Sequence, residues 1–182
     1  MPQVVFTTAR LVARRWTHAD IDAVEVVYGD ADAMRWVGDG QPITRAECEQ
    51  WMEVTFANYR TRGYGMFTLE DESSVSVIGF AGIVHPGGQS EPEIKYALLR
   101  AHWGRGVATE AAAGLLEYGA THHRLSRIIA TTHPANIASH RVLLKAGMER
   151  GELRPNADGS QTLLFIWRAP AGASSQSSSS AR

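Results

Sequence analysis

Apolar and polar positions follow two different periods along this chain. Residues 10–16, RLVARRW, alternate apolar and polar and predict a first strand. Thr17 and Asp20 then form a capping pattern, and Ile21, Val24 and Val27 recur at helical spacing behind it. Thr44 and Glu47 repeat the pattern and predict a second helix to about Arg62, broken by Gly63 and Gly65. Three strand-like runs follow, GMFTLE, SVIGFAGIV and EIKYALL, joined by turn-rich Asp71–Ser74 and His85–Ser90. A helix from about Arg105 to Thr121 carries Ala111, Ala112, Leu115 and Leu116 on one stripe. Residues 126–132, SRIIATT, read as a short strand, and Asn136 caps a further helix that Gly147 ends. Met148–Arg154 and Thr162–Arg168 make a last hairpin around Asp158-Gly159. The order β-α-α-β-β-β-α-β-α-β-β predicts one α+β domain over residues 8–169, around a central mixed sheet. Residues 170–182 are small, Ser-rich and too polar to bury a core, and predict a disordered tail.

The totals narrow the function. A chain of 182 residues with 44% apolar and 20% charged residues suits a single soluble domain. A formal net charge of −1, without a basic stripe, argues against a nucleic-acid partner. No apolar run is long enough for a bilayer, and the N-terminal stretch lacks the pattern of a signal peptide, so no membrane partner is expected. Cys48 is the only cysteine, which excludes an intramolecular disulfide and points to a reducing, cytoplasmic setting. No histidine lies near it in sequence to activate it, so it reads as a bystander thiol rather than a nucleophile. His133 and His140 are separated by Pro134 and a cap, poor spacing for a metal, and none is expected.

The chemistry concentrates at residues 102–110, HWGRGVATE, where a strand gives way to a helix. Glycines at 104 and 106 let the backbone take positive φ and remove the Cβ atoms that would keep a ligand away. A helix that begins there offers unpaired N–H groups and a positive dipole end to phosphate oxygens. A dinucleotide fold would need a small third residue where Thr109 stands and an acid after Thr131-Thr132. A P-loop would need Lys followed by Ser or Thr. Neither pattern is present, which leaves an anion-binding turn or a packing turn.

Together with the Asn136-x-x-Ser139 helix and its closing Lys145-Ala-Gly147-Met148, this turn resembles that of the GNAT acetyltransferases. Their Q/R-x-x-G-x-G/A turn cradles the pyrophosphate of acetyl-CoA. The opening T-x-R-L-x-x-R-x-W at Thr8–Trp16, R-G-Y-G at Arg62–Gly65 and I-G-F-A-G at Ile78–Gly82 are similar to the RimJ/RimL-like branch. The resemblance implies a three-layer fold and an acetyl-CoA-dependent N-acetyltransferase acting by direct attack in a ternary complex. It implies cofactor contacts from Gly104, Arg105, Gly106, Val107, Ala108, Thr109 and Asn136, with Leu98 and Leu99 pairing with the pantetheine arm. An oxyanion donor is expected among Ala97–Leu99. Ser139 would bond the departing sulfur, although a serine there also suits a helix terminus. Glu93 would be the base, with Glu91 or water as alternatives, and a solvated edge carboxylate is the plainer reading of Glu93. Two residues depart from the family pattern: Trp103 replaces Gln or Arg, and Lys95 replaces the glycine of E-I-G-Y. Tyr96 is expected to face the core. The acceptor is a primary amine, either a peptide N-terminus or a small molecule. It would sit between the first two helices and the last hairpin, where Trp36, Trp51 and Tyr64 could line it. A non-catalytic acyl-CoA-binding module on the same fold is the rival reading. An exposed strand edge leaves monomer and homodimer both open.

Overall fold

Capping fixes where the helices begin. In the computed structural model, which describes residues 2–37 and 40–170, the Thr44 N–H donates to the Glu47 carboxylate at 2.7 Å, and helix α3 runs from Arg45 to Thr61 behind this box. Asp20 accepts from the Thr17 N–H at 2.7 Å; a 3-10 turn over His18–Asp20 then leads into α1, Ile21–Tyr28. Asp20 is also buried, and its two oxygens take the Arg14 guanidinium at 2.7 and 2.9 Å while Glu70 takes the same group at 2.6 Å. Removing one partner of such a buried cluster typically costs about 3–5 kcal/mol. Two elements lie outside the sequence expectation. One is an N-terminal strand, β1 (Val4–Thr7), and the other is a single helical turn, α2 (Ala31–Met34), capped by Asp30.

The remaining elements are β2 (Leu11–Arg15), β3 (Met66–Asp71), β4 (Val77–Val84), β5 (Glu93–Leu98), α4 (Val107–His123), β6 (Arg127–Thr132), α5 (Ile137–Lys145), β7 (Glu149–Pro155) and β8 (Gln161–Arg168). They form one eight-stranded sheet in the order β1-β2-β3-β4-β5-β6-β8-β7, so the architecture is the expected α+β, mixed and mostly antiparallel. Each face carries its own core. On one face Phe67, Leu115, Ile128 and Phe165 pack under α4 and α5, and on the other Trp16, Val24, Met52 and Phe80 pack under α1 and α3. Each fully buried side chain of this size contributes about 1.5–3 kcal/mol. Among the described residues no helix is long and apolar enough to cross a membrane. The Ser-rich tail, from residue 171 on, lies outside the described residues.

Among the described residues the only parallel neighbours are β5 and β6, and they are in register at a single pair, Glu93 and Ile129. Beyond it the strands diverge. The sheet is thus a five-stranded arm and a three-stranded arm joined at one point, and a cleft opens between them.

Candidate active site

The cleft has a volume of about 1240 Å³ and reaches from the glycine turn, past the free edge of β5, to α2 and the β7–β8 turn. At one end Gly104 and Gly106 sit at φ +71 and +75, in the left-handed region. A Cβ at Gly104 would meet nothing within 4 Å, and one at Gly106 only the Arg10 guanidinium at 3.6 Å. Conformation requires glycine at these positions; packing does not. Gly106 is the N-cap of α4 and no side chain caps that terminus. The N–H groups of Val107, Ala108 and Thr109 therefore open toward the cleft that all three residues line. Arg105 does not line it. Its carbonyl accepts from Arg10 at 2.9 Å, and Arg10 also grips Glu110 in the first turn of α4 at 2.7 Å, beside Thr8 at 2.5 Å. Burial raises the Glu110 pKa, but the bonds from Thr8 and Arg10 outweigh it and hold the carboxyl below its ordinary range. The opening T-x-R motif is thus a clamp on the glycine turn. Arg141 and Lys145, one helical turn apart on α5, line the same cleft, and their i, i+4 spacing behind Asn136 is the signal that finds them.

The free edge of β5 follows from ladder alternation. Leu99 N–H donates to Ile78 O at 2.9 Å, and the β4–β5 register then turns the backbone groups of residues 93, 95 and 97 toward β4. Tyr96 and Leu98 are left with their N–H groups toward the cleft. Leu99 is a correction to the expected pantetheine contacts. Its N–H is held by Ile78, its carbonyl accepts from His102 at 2.9 Å, and the backbone groups on offer belong to Tyr96 and Leu98. The same alternation removes Ala97 and Leu99 as oxyanion donors. Trp103 turns inward, its indole N–H donating to the Leu98 carbonyl at 2.8 Å.

Tyr96 is the residue that sequence reasoning missed. Although its ring packs against the core, its hydroxyl reaches the cleft and bonds Ser139 Oγ at 2.7 Å. Burial pushes its pKa up to about 12, only partly offset by the bond to Ser139, so it keeps its proton at neutral pH. Asn136 accepts from the Ser139 N–H at 3.2 Å, which fixes the serine in the first turn of α5. Thr132 Oγ1 is a buried hydroxyl on the cleft wall with no hydrogen-bond partner among the described residues.

Glu93 is placed otherwise than as an edge carboxylate in solvent. It is 2% exposed. Its carboxylate pairs with Lys95, accepts from Thr131 Oγ1 and accepts from the Gln89 amide at 3.1 Å. Lys95 Nζ also donates to Thr131 Oγ1 at 3.3 Å, so the three side chains fasten the closed end of the cleft across β5 and β6. Glu91 is held by Arg127 and Arg154. Of the three aromatics expected near the acceptor, Trp36 lines the cleft and lies against His133, with ring centroids 4.7 Å apart and the rings tilted by 33°. Trp51 packs instead between Trp16 and Tyr28, and buried Tyr64 bonds His85, so neither faces the cleft. Cys48 is fully buried, and burial raises its thiol pKa. Among the described residues no group of three or more His, Cys, Asp or Glu is placed to hold a metal.

The comparisons agree with this geometry. Residues 10–149 match the family model described as an acetyltransferase (GNAT) domain. An uncharacterized N-acetyltransferase of Bacillus subtilis, YnaD, is 31% identical over 144 residues, which cover 79% of this chain and 82% of the relative. The crystal structure of an acetyltransferase from Agrobacterium tumefaciens is 26% identical with a TM-score of 0.74, covering 90% of this chain and 94% of that one. RimL, a ribosomal-protein alpha-N-acetyltransferase solved in complex with coenzyme A, shares the fold with a TM-score of 0.77 at 14% identity. That match covers 93% of this chain and 99% of RimL. A chain with this cleft, this turn and this family match belongs to the GNAT superfamily and is an acetyl-CoA-dependent acetyltransferase.

Proposed function

We propose that the protein acetylates a primary amine by direct attack in a ternary complex, with acetyl-CoA lying along the cleft and the acceptor entering beside Trp36. One observation carries the reading. The uncapped N-terminus of α4, the free edge of β5 and the Tyr96–Ser139 pair follow one another along a single cleft. The residues present fit acetyl-CoA. Open space stands over Gly104 where a Cβ would be, and Thr132 carries a hydroxyl in want of a partner.

When bound, acetyl-CoA supplies an activated acetyl thioester and a good leaving thiolate. The chain supplies position and charge. N–H groups of residues 106–109, with Arg141 and Lys145, hold the diphosphate end. Tyr96 and Leu98 N–H groups hold the pantetheine and face the thioester oxygen, where one well-placed donor is typically worth about 2.7–4 kcal/mol. Tyr96 donates to Ser139 Oγ, which frees the serine hydrogen for the departing sulfur. Glu93 and Glu91 are both committed to cations, so the amine gives its proton to water. An α-amino group, with a pKa of about 7.7–8.0, is neutral in roughly a tenth to a sixth of molecules at pH 7, against fewer than about one in a thousand for a lysine amine at about 10.4. A peptide N-terminus therefore suits this site better than a lysine side chain. Holding amine and thioester together supplies most of the acceleration, about 7–11 kcal/mol in favourable cases.

The test is release of free CoA thiol on offering acetyl-CoA with a panel of N-terminal peptides and small amines. Turnover with at least one class is expected; none across the panel, with acetyl-CoA bound, would refute the reading. Ser139→Ala and Tyr96→Phe should lower turnover by about tenfold to a hundredfold while acetyl-CoA affinity changes by less than about twofold. Equal losses in both would make the pair structural.

A further inference from the structure

We propose that the acceptor carries a carboxylate close to its reactive amine, and that Lys95 is the residue that reads it; this rests on the acetyl-transfer reading above. The two faces of β5 carry different groups. Ile94, Tyr96 and Leu98 belong to the core under α4 and α5, whereas Ala97 packs on the opposite side, with α1 and α3. Lys95 shares the face of Ala97, the face that also carries α2 and Trp36, and so lies on the acceptor side of the cleft. Its carboxylate partner is buried beneath it: the Glu93 side chain is 3% exposed and that of Lys95 is 37% exposed. An ammonium has three N–H donors. One meets Glu93 and one meets Thr131, which leaves the third for the cleft.

The opposite wall repeats the sign. Arg35 lines the cleft with its guanidinium 4.9 Å above the Trp36 ring and makes no ion pair among the described residues. Asp32, the carboxylate on that wall among the described residues, is already bound by Arg100 at 2.6 Å. An acceptor entering between Lys95 and Arg35 meets donors and positive charge on both sides. A polyamine or aminoglycoside would bring more positive charge to a place that offers it no free carboxylate among the described residues. A carboxylate on the acceptor would complete the third Lys95 bond and hold the amine by its anionic neighbour. The α-carboxylate of a free amino acid and the side chain of an acidic N-terminal residue present the same group.

The experiment compares matched acceptors with acetyl-CoA. One pair is alanine against alaninamide, for the α-carboxylate of a free amino acid, with rates compared per neutral amine. The second is aspartyl-alaninamide against asparaginyl-alaninamide, for a peptide N-terminus, and spermidine is the cationic arm. The acid of at least one pair should be favoured over its amide by about tenfold or more in kcat/KM, and spermidine should be poor. Lys95→Gln should reduce that preference to within about twofold while leaving the acetyl-CoA thermal shift unchanged, and Lys95→Arg should restore it. Amides used as well as acids, efficient use of spermidine, or an unchanged preference in Lys95→Gln would overturn the proposal. The wild-type comparison decides even if the variants fail to fold. If no amine is acetylated, calorimetry on the CoA-saturated protein separates the two readings. Tighter binding of the acid of a pair by about tenfold would sustain the role of Lys95 while acetyl transfer fails, and equal binding would overturn both.

Discussion

The glycine turn and the wall around Trp36 face the same cleft, yet they are built in opposite ways. The turn works through backbone groups, which only a left-handed chain with no Cβ can present, so its requirement is written as two glycines one residue apart. The wall works through side chains that come together from α2, from the end of β6 and from the β7–β8 turn. No short stretch of sequence holds it. The first kind of site tolerates little variation; the second can change specificity one residue at a time.

That contrast can be broken most directly at Gly106. A valine there would be strained at φ +75, and its Cβ would approach the Arg10 guanidinium that clamps the turn. Gly106→Val should abolish stabilisation by acetyl-CoA, otherwise about 2.7 kcal/mol at a hundredfold excess over Kd, in a protein that still folds. Thermal melts with and without ligand read the result, and an unchanged shift would move the diphosphate elsewhere. Trp36→Ala should act on the other side alone, raising the acceptor KM by about threefold to tenfold with the acetyl-CoA shift intact. A change in the CoA shift instead would merge the two regions.

The smallest effect sharpens the comparison by pH. The folded pKa of Glu110 lies below its ordinary value. Its contribution is therefore present above the unfolded carboxylate range and lost as the pH falls through the folded value. Glu110→Gln should melt below wild type near neutral pH, with the gap closing as the pH falls through the folded value. A gap constant with pH would mean that the Thr8–Arg10 clamp holds the turn without its charge.

Local signals made much of the fold legible. Thr44 and Glu47 start a helix wherever they stand, and Asn136 accepts the Ser139 N–H as its residue type suggests. Strand β1 was not legible, because four residues running into Thr7-Thr8 give too short an alternation to read. Tyr96 and Leu99 show a different limit. A period of two says which side chains share a face, but not which neighbouring strand is missing. The splay of β6 from β5 decides that Tyr96 reaches Ser139, and the β4–β5 register decides that Leu99 is bound to Ile78. Glu93 was misjudged for a related reason. A carboxylate that opens a strand usually meets water, and it is the approach of Thr131 from β6 and of Gln89 from the preceding turn, beside Lys95 of the same strand, that encloses it.

The lone rung at Glu93 and Ile129 has a mechanical consequence. The two slabs of sheet share that rung and, on one face, the core packed under α4 and α5, and toward the cleft they have no common ladder. A linear molecule wedged into the gap, bonding to the lip of the larger slab and to α5 on the smaller, would act as mortar between them. Cosubstrate occupancy would then set the spacing of the jaws that grip the amine, so that loading the donor is itself the step that shapes the seat for the acceptor.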